Sequence, residues 1–457
     1  MAYNYTACNR DQMYLLPPSM KDWLGEDHFV WFLLDAIAQM DLSVFHRAYR
    51  ADGWGQKAHH PEIMVAVLLY GYCHGERSSR QLERLCQESV PYRILASDTQ
   101  PDHCAFARFR QRHEAALGGL FLEVLRLCAE AGVLKVGTVA LDGTKMKAAA
   151  ALASNRTAAG LEQEIAAMLS EASAVDAEED ARYGRERRGD ELPEDLRHRE
   201  DRLRRLKACK ATLEAQKEGA RRAQEETIRK REAEEAATGR KKRGRRPKTP
   251  EAAVREQADA KANVTDPASR IMKTRSGYVQ GYNAQAVVTE DQYIVAPGVT
   301  EEANDQHQLH PMLKQASETL SAVGVRESIR AGLADAGYCS ERNLTEPEGS
   351  GPELFVNTTK DWKRRKALRR MPPPRGRIPK HLTSTQRMER KLRTKRGAAL
   401  YAKRSQTVEP VFGQIKDTRR LDGFCRRGLS PCESEWSVIC ATHNLLKLYR
   451  SGKANWN

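Results

Sequence analysis

Three carboxylates of the sequence lie where a group of acids can bind metal ions. Asp142 lies at the end of one predicted strand, Asp335 at the end of a later one, and Glu409 on or at the start of a helix. Ligand sites in α/β sheets are built where strands end, so the two aspartates can face one crevice. Three hard oxygen ligands suit Mg²⁺ or Mn²⁺, which bind substrate phosphates directly. Two such ions would activate the attacking oxygen and stabilise the leaving oxygen in phosphodiester chemistry.

Each of these acids, taken singly, also has a purely structural explanation. The dipeptide Asp142-Gly143 fits a turn, Asp335 fits a helix cap, and Glu409 fits a surface charge. The spacing of the residues alone therefore leaves a metal site and three unrelated structural roles equally open.

The strands that carry the acids belong to a predicted mixed α/β domain. The run VLKVGTVAL at 133–141 is apolar and β-branched, which is typical of a buried strand. Two β-rich runs within 278–299 predict a hairpin around Glu290-Asp291. The following segments predict a helix at 307–323, a strand ending at Asp335, a helix capped by Ser340, a strand at 353–358 and two helices around 404–421 and 434–450. This alternation favours a mixed sheet flanked by helices.

A long helical arm interrupts this domain. Between 161 and about 236 the composition shifts to Ala, Glu, Arg, Lys and Leu, which are helix formers. Gly and Pro residues near 184–193 predict the turn of a helical, coiled-coil-like hairpin. The seam of the arm must pack either on the other half of the hairpin or on the same arm of a second subunit. That seam includes Leu203, Leu206 and Leu213.

The first 130 residues predict short helices, one of them basic. One helix begins near Pro61 and ends at Gly75, Ser78 or Ser79 caps a second, and Asp102 caps a third. The third helix carries Arg108, Arg110 and Arg112. Short helices joined by tight turns suit a helix-turn-helix reader of DNA, and equally a plain packing or dimerisation module.

The net charge of +15 is concentrated in two windows. Residues 239–248, a predicted flexible linker, carry seven basic residues and no acid, and residues 360–396 carry sixteen basic and two acidic residues. A local excess of this size favours a polyanion, because neutralised phosphates release counterions. One such run is often only a solvated loop, but two favour nucleic acid. The core Arg245-Arg246-Pro247 loosely matches a hook for the minor groove.

Composition excludes a membrane protein and predicts a reducing compartment. The mean hydropathy is −0.68, no apolar run is long enough to span a bilayer, and no secretory signal is present. None of the ten cysteines falls in a CxxC pair, and Cys86 and Cys128 fit buried free thiols. The spacing of Cys425, Cys432, Cys440 and His443 fits no compact zinc finger.

Around the three acids the sequence resembles the DDE-type insertion-sequence transposases of bacteria, whose catalytic domain has a ribonuclease-H-like fold. The segments HHPEIMVAVLLYGYCHGERSSRQLERLC and PDHCAFARFR resemble the helical N-terminal domain of that family. VALDGTKMKA resembles its first-aspartate strand, and NVTDPASRIM with GYVQGYNAQAVV its second strand region. LADAGYCSERNL resembles the second-aspartate segment, and YAKRSQTVEPVFGQIK the glutamate helix.

The resemblance implies roles for particular residues. Asp142, Asp335 and Glu409 would be the catalytic triad and would bind two Mg²⁺ or Mn²⁺ ions. The glutamate motif of the family has the form Y-x2-R-x3-E-x6-K. Tyr401, Arg404, Glu409 and Lys416 match it in type, although four residues separate Arg404 from Glu409. Lys416 would hold a DNA phosphate beside the metal ions. The implied DNA contacts are Lys416, Arg404, Tyr401, Arg108, Arg110, Arg245 and Arg246.

The resemblance also implies the organisation and activity of the chain. Its segments would be a helical DNA-binding domain at 1–130, the first catalytic strand at 131–160, the arm and basic linker at 161–264, and the rest of the catalytic domain at 265–457. The chain would bind terminal inverted repeats of double-stranded DNA and catalyse metal-dependent cleavage and strand transfer into a target. It would act in the bacterial cytoplasm, associated with the nucleoid, as a homodimer or higher oligomer paired partly through the arm.

Two other functions fit the same resemblance. One is a catalytically inactive DNA-binding protein derived from such an element, and the other is a nuclease with a ribonuclease-H-like fold. The intact acids argue against the first, since DNA binding alone does not favour carboxylates beside phosphates.

Overall fold

The chain forms two compact units in a computed structural model that describes residues 19–49, 57–168, 170, 194–242, 244, 246–257, 259–274, 277–345, 351–379, 381–454 and 456. The first unit runs up to Lys135 and also contains Leu320–Arg326 and the residues from Ser437 onward. The second unit comprises Val136–Thr319 and Glu327–Trp436. The four-segment division stays a prediction.

Helices make up most of the described chain. They are α1 (Phe29–Ala38), α2 (Ser43–His46), α3 (Pro61–His74), α4 (Ser79–Glu88), α5 (Val90–Leu95), α6 (His103–Arg112), α7 (Glu114–Glu130), α8 (158–168), α9 (Glu194–Thr238), α10 (Pro250–Glu256), α11 (Leu309–Ala322), α12 (Glu341–Thr345), α13 (Trp362–Arg370), α14 (Ser384–Leu392), α15 (Lys395–Thr407), α16 (Glu409–Gly413) and α17 (Leu429–Ser451). Within the described ranges, none of them combines the length and the apolar character that crossing a bilayer requires.

Local capping signals place the helices of the first unit. The Ser78 hydroxyl accepts a hydrogen bond from the backbone N–H of Gln81, and the Asp102 carboxylate accepts one from Ala105 at 2.6 Å. Gly75 ends α3 with a left-handed φ of 82°. These starts and stops were predicted from the sequence, and they are confirmed.

The last helix completes the core of the first unit. The Tyr449 ring on α17 lies 5.0 Å from the Phe29 ring and 5.1 Å from the Phe32 ring of α1, between centroids. The Cys73 thiol on α3 donates to the Thr442 carbonyl at 3.8 Å. The N-terminal helices therefore share their buried surface with residues far along the chain.

The second unit is built on a six-stranded mixed sheet. The described strands of this unit, in the sheet and outside it, are β1 (Thr138–Lys147), β2 (Asn155–Thr157), β3 (Lys261–Asn263), β4 (Arg270–Thr274), β5 (Gly277–Thr289), β6 (Ile294–Thr300), β7 (Ala331–Ala334) and β8 (Glu353–Val356). The order is β4-β5-β1-β7-β8, with β6 also paired to β5, while β2 and β3 form a separate pair. β1 is antiparallel to β5 and parallel to β7, and β7 is parallel to β8. The predicted mixed α/β architecture and the β5–β6 hairpin are confirmed.

The first strand differs from its prediction. β1 was predicted at 133–141, with Asp142 at its end, but it begins at Thr138 and continues to Lys147. Its pairing with β5 runs on through Asp142↔Ala286 to Lys147↔Gly281, whereas its pairing with β7 stops at Leu141↔Ala334. Asp142 therefore lies inside β1. At this position β1 still pairs with β5 on one edge but no longer pairs with β7 on the other.

The helical arm packs within the chain. Leu206, Cys209 and Leu213 on α9 are buried against Leu161 of α8 and Ala262 of β3. Leu203 is half-buried. This supports the intramolecular alternative for the described part of the seam, while the predicted turn at 184–193 lies outside the described residues.

The described residues of the basic linker form hydrogen bonds with the arm. Arg231 donates to the Lys242 carbonyl at 2.7 Å, and Glu235 accepts from the Lys242 backbone N–H at 2.9 Å. Further along, Gln224 donates to the Lys248 carbonyl at 2.6 Å. These hydrogen bonds join backbone groups of the linker to α9, and the flexible linker stays a prediction.

Candidate active site

Strand register brings Asp142 and Asp335 side by side. Leu141 pairs with Ala334 across the parallel strands β1 and β7, and the two aspartates are the next residue on each. Adjacent strands lie about 4.8 Å apart, so the two side chains leave the backbone as close neighbours. Asp335 lies directly after its strand, as predicted.

Asp142 is a largely buried acid with an opposite charge against it. Its Oδ1 accepts from the Gly143 backbone N–H at 2.9 Å, and its Oδ2 accepts from Arg404 Nη2 at 2.7 Å. Burial raises the pKa of Asp142 to about 6. The guanidinium of Arg404 opposes this rise, and the negative charge of Asp335 adds to it. The side chains of Arg404 and Asp142 are only 12% and 20% exposed.

Glu409, at the junction of two helices, contacts the same guanidinium. α15 ends at Thr407, and α16 begins at Glu409 with Pro410 in its first turn. Five positions along a continuous helix would turn Glu409 about 140° away from Arg404. The long side chain of Arg404 nevertheless places its Nη1 3.4 Å from Glu409 Oε1. The Glu409 side chain is 60% exposed, and Arg404 contacts both Glu409 and Asp142.

Lys416 is attached to β1 just beyond Asp142. It lies in a π-helical segment, Gln414–Thr418, and its Nζ donates to Thr144 Oγ1 at 3.0 Å and to the Lys145 carbonyl at 2.9 Å. Burial lowers the pKa of Lys416. The structure thus places this cation beside the strand that carries the first aspartate.

Tyr401 lies one helical turn before Arg404 on α15, which packs against β1, β7 and β8. Burial raises the pKa of Tyr401, and its hydroxyl is hydrogen-bonded to Asn357 at the end of β8. Tyr401 and Arg404 therefore lie on the helix that packs on the strands of the two aspartates, and Lys416 contacts β1.

A fourth carboxylate, Asp305, adjoins the aspartates and was missed from the sequence. Its Oδ1 accepts from Asn283 Nδ2 at 2.7 Å and from Gln285 Nε2 at 2.9 Å, and Lys145 Nζ lies 3.7 Å away. Asp305 lies in a loop, with no strand-end signal. The sequence feature that points to a partner there is a pair of buried polar residues, Asn283 and Gln285, on one face of an apolar strand. Buried amides need hydrogen-bond partners, and Asp305 is the acceptor for both.

Gly143 lies under these polar groups. A β-carbon there would be 2.3 Å from Gln285 Nε2 and 2.7 Å from Asp305 Oδ1. The dipeptide Asp142-Gly143 is thus part of a strand, not a turn, and any side chain at 143 would have to displace Gln285, Asp305 and Asn283.

The basic residues predicted to contact DNA differ in exposure. Arg108 is exposed on α6, whereas Arg110 is half-buried and donates to Ser79 Oγ at 3.0 Å and to the Arg77 carbonyl at 2.6 Å. Arg246 is exposed, and Arg245 lies outside the described residues.

Two family models match parts of the chain. A transposase domain (DUF772) matches residues 18–112, and a transposase DDE domain matches residues 374–449. No curated protein and no solved structure shows significant similarity to the chain. The first match covers α1–α6, and the second covers α14–α16 and α17 up to Tyr449, with Tyr401, Arg404, Glu409 and Lys416 inside it. These two matches support an insertion-sequence DDE transposase.

Proposed function

We propose that the protein binds the terminal inverted repeats of an insertion sequence and catalyses metal-dependent DNA strand cleavage and strand transfer. The observation that carries the proposal is the register of β1 and β7, which makes Asp142 and Asp335 neighbours. Glu409 is the third catalytic acid, linked to Asp142 through Arg404.

A ribonuclease-H-like fold is part of the proposal. In the sheet, β1, β5 and β6 form an antiparallel meander, and β7 and β8 then add in parallel on the other side of β1. This order, with one acid inside the central strand and another just after its parallel neighbour, supports the assignment.

The donor set fits divalent cations. Asp142, Asp335 and Glu409 offer hard carboxylate oxygens, which Mg²⁺ and Mn²⁺ prefer. The guanidinium of Arg404 already bridges Asp142 and Glu409, so a positive charge is accommodated between these two acids. Two bound ions would activate the attacking oxygen and stabilise the leaving one. Arg404, once released from Asp142, and Lys416 would then hold DNA phosphates.

The proposed reaction is two successive displacements at phosphorus. In cleavage, a water oxygen bonds to the phosphorus, and the P–O3′ bond breaks to leave a 3′ hydroxyl and a 5′ phosphate. In transfer, that 3′ hydroxyl attacks a target phosphodiester and displaces the 3′ oxygen of the target, which takes up the proton. Neither step needs an oxidant or a high-energy co-substrate.

Incubating the full chain with terminal-repeat duplex, a target plasmid and Mg²⁺ tests the function. Joined products support the proposal. Cutting without joining would assign a nuclease, and specific binding without either would assign an inactive DNA-binding protein.

A basic surface beside the acids supports DNA as the partner. Burial has the largest effect on the pKa of Lys145 and on that of Tyr401. The charge of Lys360 also lowers the pKa of Lys145, and the charge of Arg365 lowers the pKa of Tyr401. Both cations lie at the start of the 360–396 window. Most side chains of α13 are exposed, and Trp362 is 60% exposed. Such a surface can neutralise phosphates along a duplex next to the cleavage site.

We expect Arg108→Ala to weaken binding of end-containing DNA about threefold or more and to lower the salt slope by about one. Arg110→Ala should instead lower the melting temperature, because two hydrogen bonds are lost, one to Arg77 before α4 and one to Ser79 at its start. Fluorescence anisotropy over a salt series, on end and random duplexes, measures the first effect. The full chain is used because α17 completes the first unit. An unchanged slope in Arg108→Ala, relative to an Arg450→Ala control, would contradict a role in recognition.

We propose that the arm helps to pair two subunits on DNA, because a transposase must hold two element ends at once. Removing equal lengths on both sides of the predicted turn, while keeping the cluster of Leu161, Leu206, Cys209, Leu213 and Ala262, should abolish the paired-end complex but not single-end binding. Light scattering on DNA gives the mass of each complex. A truncated chain that still assembles the paired complex as well as the full chain would make the arm a spacer.

A further inference from the structure

The two oxygens of Asp305 have different surroundings. Oδ1 receives the Asn283 and Gln285 amides and lies 3.7 Å from Lys145 Nζ. Oδ2 lies 2.9 Å from the position that a β-carbon on Gly337 would take, and Asp335 Oδ1 lies 2.9 Å from the same point. Asp305 Oδ2 and Asp335 Oδ1 are therefore no more than twice 2.9 Å apart. Both face the position where any residue other than glycine would carry a side chain at 337.

The negative charges at this point are only partly balanced. Lys145 is close to Oδ1, but its Nζ also donates to the Ala303 carbonyl at 2.7 Å. Burial raises the pKa of Tyr338 well above its ordinary value, and the charges of Asp305, Asp142 and Asp335 add to this. Three carboxylates thus act on one buried hydroxyl, and like charges held this close favour a cation between them.

A buried oxygen without a donor lies at the same place. Asn283 is fully buried, and its Oδ1 has no hydrogen-bond donor among the residues described. This oxygen lies 2.9 Å from the position of a β-carbon on Gly143, and Asp305 Oδ1 lies 2.7 Å from that position. An unsatisfied buried acceptor is costly, and a cation or a water bound to a cation would satisfy it.

We propose that Asp305 is a fourth metal-binding carboxylate of the active site, sharing a divalent ion with Asp335. The inference rests on the proposed function, since it adds a ligand to the site of that reaction. The opposing explanation is that Asp305 only positions β5, through Asn283, Gln285 and Lys145.

The substitution Asp305→Asn separates these explanations, because asparagine keeps the Oδ1 acceptor and replaces Oδ2 with an uncharged amide. Mn²⁺ is titrated into the full chain by calorimetry, and the melting temperature is measured in EDTA and in Mn²⁺. We expect about tenfold weaker Mn²⁺ binding, a smaller Mn²⁺-induced rise in melting temperature, and a higher melting temperature in EDTA. The control is Glu302→Gln, which removes one charge from the same loop, where Glu302 contacts His307.

A lower melting temperature in EDTA together with unchanged Mn²⁺ affinity would assign Asp305 a structural role and overturn the inference. Asp335→Asn distinguishes this from failure of the proposed function. If Asp335→Asn loses Mn²⁺ binding while Asp305→Asn keeps it, only the fourth ligand is wrong. If the wild-type chain binds no Mn²⁺, both proposals are wrong.

Discussion

We expect the Asp335→Asn variant to cleave terminal-repeat DNA at least about 10³-fold more slowly than the wild-type chain, since the loss of a metal ligand removes several kcal/mol of transition-state stabilisation. Asparagine keeps the shape and can still accept the 2.7 Å hydrogen bond from the Gly337 backbone N–H. The sheet and the DNA-binding surfaces should therefore be unchanged, and binding to the element ends nearly intact.

The measurement is a single-turnover cleavage assay, with DNA binding followed in parallel. Glu341→Gln is the matched control, because Glu341 is an exposed acid at the start of α12, six residues further along the chain. Alanine at Asp142, Asp335 or Glu409 should abolish cleavage in the same way. Cleavage that survives in Asp335→Asn or Asp335→Ala would remove this residue from the triad.

The second large effect is expected on stability. Arg404→Met should lower the free energy of unfolding by about 3 kcal/mol in the absence of divalent ions, because it leaves the buried Asp142 carboxylate without its partner. Methionine keeps much of the apolar length of the arginine side chain, so the loss reports mainly on the charge. Mn²⁺ should restore part of the stability, since a cation would replace the guanidinium between the acids.

Chemical denaturation in EDTA and in Mn²⁺ measures both effects. The matched control is Arg396→Met on the same helix, where Arg396 pairs with Glu353 but is 70% exposed. An exposed pair contributes about 0–1 kcal/mol, so this variant should change little. Equal losses in the two variants would show that Arg404 does not compensate a buried charge.

The features predicted correctly from the sequence are those set by residues close together in the chain. The cap at Ser78 and the one at Asp102 each depend on an N–H three residues away. Ser340 likewise accepts from Asn343 at the start of α12. Asp335 could be placed because its strand is short, apolar and followed directly by glycine and a cap.

The features that were missed depend on pairing between distant segments. The end of β1 is set by β5, more than a hundred residues away, and no local pattern reports that Asp142 lies inside the strand. Asp305 is held by Asn283 and Gln285, so its place in the site follows only from the fold. The hydrogen bonds between the linker and α9 likewise join segments that no local pattern relates.

The first unit has a consequence for the order of events during synthesis. Phe29 and Phe32 pack on Tyr449 of the last helix, yet about 300 residues separate the end of α7 from Ser437. At roughly 5–20 residues per second, a ribosome needs about 15–60 s to translate that stretch. During this time the aromatic surface of α1 lacks its partner on the nascent chain. We therefore expect the emerging N-terminal helices to depend on chaperones, and any prematurely terminated chain to aggregate through this surface.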